Sequence, residues 1–572
     1  MKSLEPLAKR GLLLLALLLL YSFNFNIQST FSNKISTING DPAYYFALDE
    51  LPLDENELFS GSGNCVQCHG DPDQFPSSTA NLDSLGNDVS PVNLWRATMM
   101  ANASKDPFWR AKVSHEGLAN PGLVDEIETI CTSCHAPLGH FNAFFIDEDS
   151  YSIEDLIEDP LGLDGVSCNA CHMIEDIGLG ITFSADITYN EDHVEYGPFE
   201  NPFANPMINH TGFTPEYSAH ISSSEACSKC HTLITEAINE EGEILENSFV
   251  EQAVYHEWLN SDFSQNDIAC VDCHMPKLEE EVILSPMPSF LGARSNFAKH
   301  DLLGGNVFML TMLKDNSEAL ALNASPAQFD EAISKTSHLL QEASLDLELS
   351  VLEESSDSIV FEVMLKNKSG HKLPSGYPSR KIMVEFMLFS MNGDTLFHSG
   401  GFDENGRIIG EENEGFEPHY DQILNEDEVQ IYEYVMGDEQ GEATTILTRA
   451  FAGLKDNRIP PMGFTSGHLS YDTTQIIGNA LNDGNFNIEE GGINISISTT
   501  SGISFIVFSI ASSPCFASPT TLMSLYISST IRMLSRTISW SSTISTFIFL
   551  DTLFICFSMN GITLSGSMGL KK

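Results

Sequence analysis

Five copies of Cys-x-x-Cys-His lie between residues 65 and 274, and they limit the fold of this 572-residue chain more than any other feature. They are Cys65, Cys68 and His69; Cys131, Cys134 and His135; Cys168, Cys171 and His172; Cys227, Cys230 and His231; and Cys270, Cys273 and His274. Cys-x-x-Cys alone also serves zinc ribbons and redox dithiols, but neither needs a histidine next. Histidine fills 17 of the 572 positions, so five chance followers have a probability on the order of 10⁻⁸. The spacing is that of c-type haem attachment. Two thiols one turn apart add across the two vinyl groups, and the adjacent imidazole reaches the iron from the proximal side. Five covalently attached haem c groups, each with its iron, are therefore expected. The ten cysteines are their attachment points, and His69, His135, His172, His231 and His274 are the proximal ligands.

One motif per about 42 residues leaves too little chain for an ordinary hydrophobic core around each haem. The expected fold is a mainly α and irregular multihaem cytochrome domain, residues 31–310, followed by a β-sandwich-like domain. Asn201-Pro202 and Asn205-Pro206 mark loops, and short helices are expected near 95–105 and 249–259. A helical linker over 311–344 contains a well-signalled helix from Ser325-Pro326 to about Glu342, with a capping serine and proline at the first position. From Leu345 the period changes to two. Leu345, Leu347, Leu349 and Val351 alternate, and 359–365, 382–389 and 429–435 read as further strands, with a turn at Asn392-Gly393-Asp394. The sandwich is expected over 345–490.

Asp and Glu total 80 against 27 Lys and Arg, a net charge of −53. That excludes nucleic acid as a partner, because phosphate binding needs a basic surface. Redox proteins are the expected partners. Residues 491–572 differ from the rest: Asp551 is their one acid, and long stretches are rich in Ser, Thr, Ile and Phe. This atypical tail has the composition that reading the opposite strand of an acidic gene, a coding artefact, would give. At the other end, Lys2, Lys9 and Arg10 precede an apolar run from Gly11 to Leu20. Residues 1–30 therefore read as a signal peptide or an N-terminal anchor, which implies a periplasmic or otherwise exported protein and a route to membrane association.

Several stretches resemble multihaem c-type cytochromes of the cytochrome c-552/c-554 class, and more closely a bacterial group that joins haem motifs to a C-terminal β-domain. They are WRATMMANASKDPFWRAKVSHE (95–116), DGVSCNACHMI (164–174), EACSKCHTL (225–233), EWLNSDF (257–263), CVDCHMP (270–276) and KHDLLGGNVFML (299–310). The carboxyl half adds SGHKLPSGYPSRK (369–381), EPHYDQI (417–423), QIYEYVM (430–436) and LKDNRIPPMGF (454–464). The resemblance covers about 60–490 and implies an electron-transfer protein. In that group a final strand follows the equivalent of Gly492, and here the pattern stops.

Each iron needs a second axial ligand unless it is left open. Of the twelve remaining histidines, five stand in suitable contexts. His210 lies in a Pro- and Asn-rich loop, His220 shortly before the fourth motif, and His115 in a family-like stretch. His300 precedes Gly304-Gly305, where backbone can approach a macrocycle closely. His371 sits in the Gly370–Gly376 loop of the β-domain, from which it can reach back to a haem. Met99 and Met100 are alternatives that would raise a haem's potential. The rival function is a multihaem reductase of small nitrogen oxyanions or hydroxylamine at a haem with an open axial site. Pentahaem nitrite reductases replace the attachment histidine of that haem with lysine; all five motifs here end in histidine.

Overall fold

The computed structural model describes residues 51–70, 77–239, 242–355, 358–390, 393–404, 406–411, 415–487 and 491–499, with backbone alone for strands beyond 505. The apolar run at 11–20 and its basic flank lie outside the described residues, as do the domain's first twenty positions after residue 30. Among the described residues no helix is long and apolar enough to cross a membrane.

Each Cys-x-x-Cys-His motif closes a helix, with Cys65 of the first motif ending the 3-10 turn that leads into its helix. The helices are Val66–His69, α1 (Val124–His135), Cys168–His172, α2 (Ser224–His231) and Cys270–His274. One helical turn sets the two thiols on the same face, and the histidine is the final helical residue each time. The apolar interior of this region is broken into separate small clusters: Leu58, Phe59 and Met173 in one, Trp109, Val113 and Leu156 in another, Val89, Val282 and Phe297 in a third. Between them runs a cavity, not side chains.

Two helix expectations change. Only Pro91–Trp95 is helical at the start of the 95–105 segment. Beyond it the Asn102 amide donates to the Arg96 and Thr98 carbonyls, so a side chain takes acceptors that a continuing helix would use. Residues 244–253 form a strand paired antiparallel with Thr232–Ile238, which leaves the α2 motif directly. Its buried positions alternate, which is the period of a strand, and the helix begins only at Val254. The linker helix occupies Pro326–His338, with Ser325 and Gln328 forming a reciprocal cap and Phe329 fully buried.

The β-region contains β1 (Leu345–Glu354), β2 (Ile359–Asn367), β3 (Arg380–Phe389), β4 (Ile431–Gly437) and β5 (Ala452–Asp456). A further strand, β6 (Gly492–Thr499), pairs antiparallel along the whole of β2, from Gly492 opposite Lys366 to Thr499 opposite Ile359. One sheet runs β1-β2-β6 and ends on the short strand Gln422–Ile423; the other has β3 between β4 and a strand at Ile506–Phe516. Phe361, Val363 and Leu365 of β2, Phe386 and Leu388 of β3, and Ile493, Ile495 and Ile497 of β6 share one core. Residues 492–499 thus lie beyond the boundary expected at 490 yet sit at the centre of a sheet. Alternation of isoleucine with polar residues through 493–498 gives them that role.

Ile495→Ala should cost about 2–5 kcal/mol of β-region stability, measured by urea unfolding. A chain ended at 490 is expected to lose that cooperative transition, because β2 would face solvent along one edge.

Candidate haem sites

All ten motif cysteines and all five motif histidines line one continuous cavity of about 1880 Å³. A single small-molecule pocket holds about 300–1,000 Å³, so this space is suited to several large groups. Its walls are mainly apolar, with Val92, Trp95, Leu123, Ile127, Leu284 and Phe297 among them. Buried hydroxyls in the lining, those of Thr235, Ser375 and Ser379 among them, have no hydrogen-bond partner, which fits a ligand with an apolar ring and polar edges. Zinc cages need donors that converge. Among the described residues no three His, Cys, Asp or Glu side chains do so, and none of the ten motif cysteines forms a disulfide.

The motif histidines are held as metal ligands are. His172 Nδ1 donates to the Tyr196 carbonyl at 2.7 Å, His135 Nδ1 to Ala103 at 3.3 Å, and His274 Nδ1 to Leu303. A carbonyl can only accept, so Nδ1 carries the proton and Nε2 keeps its lone pair for iron. Burial pushes His135 and His231 down to about 4, so both are neutral at physiological pH. Thiols of different motifs lie against each other: Cys65 against Cys168, Cys134 against Cys230, and Cys227 against Cys270. The fourth motif therefore adjoins the second and the fifth, and Cys171 of the third is within electrostatic reach of Cys227 and Cys230.

Two motif histidines face a second histidine. The rings of His172 and His300 are 6.3 Å apart, centre to centre, with planes 18° from parallel. Those of His274 and His371 are also 6.3 Å apart, with planes 16° from parallel. A metal at about 2 Å from each of two opposed imidazole nitrogens keeps the rings about 6 Å apart. His371 Nδ1 donates to the Lys372 carbonyl at 3.0 Å, which leaves its Nε2 free. Burial holds His300 down to about 3, again neutral.

The other three distal candidates are placed differently. His210 lines the cavity from an exposed helical turn, Asn205–Thr211. His115 is exposed outside the cavity, with its Nδ1 accepting from the Lys112 ammonium at 3.1 Å. His220 is buried, its Nε2 donating to the Ile174 carbonyl at 2.8 Å and its Nδ1 accepting from Ser218 Oγ at 2.6 Å. Both of its nitrogens are committed, so it has no lone pair to give. Neither His115 nor His220 lines the cavity. Gly304-Gly305 lines the cavity, and the carbonyl just before it, that of Leu303, accepts from His274.

The loop that presents His371 is clamped between the two halves of the chain. The Lys372 amide donates to Glu257 Oε2 at 3.0 Å, and the Lys372 ammonium pairs with Asp456 at 2.8 Å. Arg458 bridges Asp456 at 2.8 Å and Glu257 at 2.9 Å. All four side chains are buried. A Cβ on Gly370 would come within 3.1 Å of Phe263 and 3.3 Å of Trp258, so the loop needs a glycine to lie this close to the haem region. Sequence reasoning passed over Lys372, Asp456, Arg458 and Glu257, although all four stand in the family-like stretches quoted above.

No protein-family model matches the chain, and no curated protein matches it. A solved structure titled as a penta-heme cytochrome c552 from Thermochromatium tepidum aligns at 16% identity with a TM-score of 0.43, covering 79% of this chain and 90% of that one. A likeness of that size leaves the site to be judged on its own residues.

Arg458→Ala removes one partner from a buried cluster and should cost about 3–5 kcal/mol, measured by guanidinium unfolding. Burial alone would raise the Asp456 carboxyl, but Arg458 and Lys372 hold it below its usual value. Its contribution is therefore complete above about pH 4 and lost as pH falls further. Asp456→Asn should flatten that acid limb of the stability profile.

Proposed function

We propose that this protein is an exported pentahaem c-type cytochrome that passes single electrons between closely spaced haems. The observation that carries the reading is the convergence of all ten thiols and five histidines on one cavity, with thiols of four motif pairs in contact or electrostatic reach. When bound, the haems supply one-electron redox chemistry at iron. The chain's own part is to hold and insulate them. Each motif's cysteines would tether one macrocycle and its histidine the proximal face. His300 would hold the opposite face at the third motif and His371 at the fifth, while His210 lines the same cavity. The backbone carbonyls of Tyr196, Ala103 and Leu303 fix the imidazole rings and raise their basicity as ligands.

The charge of −53 suits basic redox partners, which it would steer to the surface from a distance. The basic flank and apolar run at the amino terminus support export, and covalent haem attachment is consistent with it.

Peptide mass spectrometry of the purified protein should find one haem on each of the five motif peptides; zinc in place of iron would defeat the reading. His300→Ala should turn one low-spin iron high-spin without loss of haem, seen by electron paramagnetic resonance. An unchanged spectrum would remove His300 as a ligand.

A further inference from the structure

The fourth motif draws polar neighbours from both halves of the chain. Its helix ends at His231, and the backbone continues as the strand Thr232–Ile238, which carries Thr235. From the β-region comes the loop between β2 and β3, with Ser375, Ser379 and, as the first residue of β3, Arg380. Arg380 is within electrostatic reach of His231. A Cβ on Gly376, whose φ is +78°, would come within 3.1 Å of Arg380 Nη1 and 3.7 Å of Gln252 Oε1. Gln252 in turn donates to the Cys230 carbonyl at 3.5 Å. The tip of the loop therefore lies beside the fourth motif, and it needs a glycine to do so.

The hydroxyl oxygens of Thr235, Ser375 and Ser379 are buried and make no hydrogen bond among the described residues. All three residues, with Arg380, line the cavity. Arg380 Nη1 donates to the Ser375 carbonyl at 2.8 Å, which fixes the guanidinium to the loop that supplies two of the hydroxyls. Burial holds that guanidinium below its usual value, so a neighbouring anion would be favoured. A guanidinium has donors only, and each hydroxyl has one proton to give. What satisfies all four groups together is an acceptor with negative charge. A carboxylate has two oxygens with about four lone-pair sites, and its plane matches the arginine fork.

We propose that Arg380, Ser375, Ser379 and Thr235 bind one propionate carboxylate of the haem attached at the fourth motif, and that Arg380 thereby raises the potential of that haem. This rests on the pentahaem reading and adds to it the groups that set one potential. A propionate tethered through Cys227 and Cys230 reaches the site at high effective concentration, whereas a net charge of −53 opposes entry of free anions. Reduction removes one positive charge at the iron, so a fixed cation beside the haem edge favours the reduced state. The place matters for electron flow. Cys230 lies against Cys134 of the second motif and Cys227 against Cys270 of the fifth, so a raised potential here draws electrons to the point where the motifs meet. The loop that offers His371 to the fifth motif then grips the fourth haem as well.

The test uses the full chain with its haems attached, and counts them first. Fewer than five would undo the underlying reading. Haem propionates are then labelled by growth on aminolevulinate carrying a heavy carbon at its carboxyl, and the redox-difference infrared spectrum is recorded. Arg380→Lys and the milder Ser379→Ala should each move one label-sensitive carboxylate band and leave the others in place. Five haems with the same bands in both variants as in the unaltered chain would overturn this inference alone. In spectroelectrochemical titration, Arg380→Gln should lower one midpoint potential and Arg380→Lys should restore most of it. A midpoint that rises, or a set that stays put, would refute the effect on potential. Acetate added to the unaltered chain separates a tethered carboxylate from a free one, and should change nothing. A midpoint that acetate shifts in the unaltered chain but not in Arg380→Gln would give the site to a free anion and refute the propionate.

Discussion

A chain that spends a Cys-x-x-Cys-His motif on every 42 residues or so has little left to close a core of its own, and the rest of the architecture answers to that shortage. The apolar side chains of the motif region form several small clusters around a shared cavity. Helices are short and end on the motif histidine, so the backbone beyond each one is free to turn away. Two of the carbonyls that fix the imidazoles, at Ala103 and Leu303, come from those irregular segments, and the third, at Tyr196, from the short two-stranded pair Val194–Gly197 with Thr214–Tyr217. Irregular backbone and strand edges have unpaired acceptors to offer, whereas a helix interior has already used them.

The β-region supplies what the motif region lacks. The loop between β2 and β3 carries His371 toward the fifth motif and Tyr377 toward the second, and Arg380 stands within electrostatic reach of His231 in the fourth. Three sites are thus bounded by the ten residues His371–Arg380, the end of that loop and the first residue of β3. Glu257, Arg458, Asp456 and Lys372 hold that loop in register with the motif region. Buried ion pairs add little net stability compared with well-packed apolar residues, but a broken one is strongly unfavourable. A cluster of this kind suits a junction whose job is position. Loosely docked domains would let the two imidazoles at the fifth motif drift apart.

What the sequence disclosed divides by range. The motifs, the linker helix and the strands at 345–354, 359–367 and 380–389 were legible because their signals are local: adjacent residues, a cap, an alternation. The helix expected near 249–259 begins only at Val254, because 249–253 belong to a strand whose place is decided by its pairing with Thr232–Ile238. Composition drew the boundary at 490, whereas β6 belongs to the sheet by its alternation. Axial partners were the least legible. His220 and His371 both stood in promising loops, yet Ser218 and Ile174 consume the nitrogens of one while Lys372 leaves the other's Nε2 free. That difference lies in hydrogen bonds across dozens of residues.

The central claim is that a histidine of the β-region completes a haem site in the motif region. Near-infrared magnetic circular dichroism of the oxidised protein reads axial ligands directly, and His371→Ala compared with the unaltered chain isolates one iron. The expected result is the loss of one bis-histidine charge-transfer band in five-haem protein, with imidazole added to the buffer restoring it. An identical spectrum for the two proteins, each with five haems, would contradict the claim and leave the β-region a domain that merely docks.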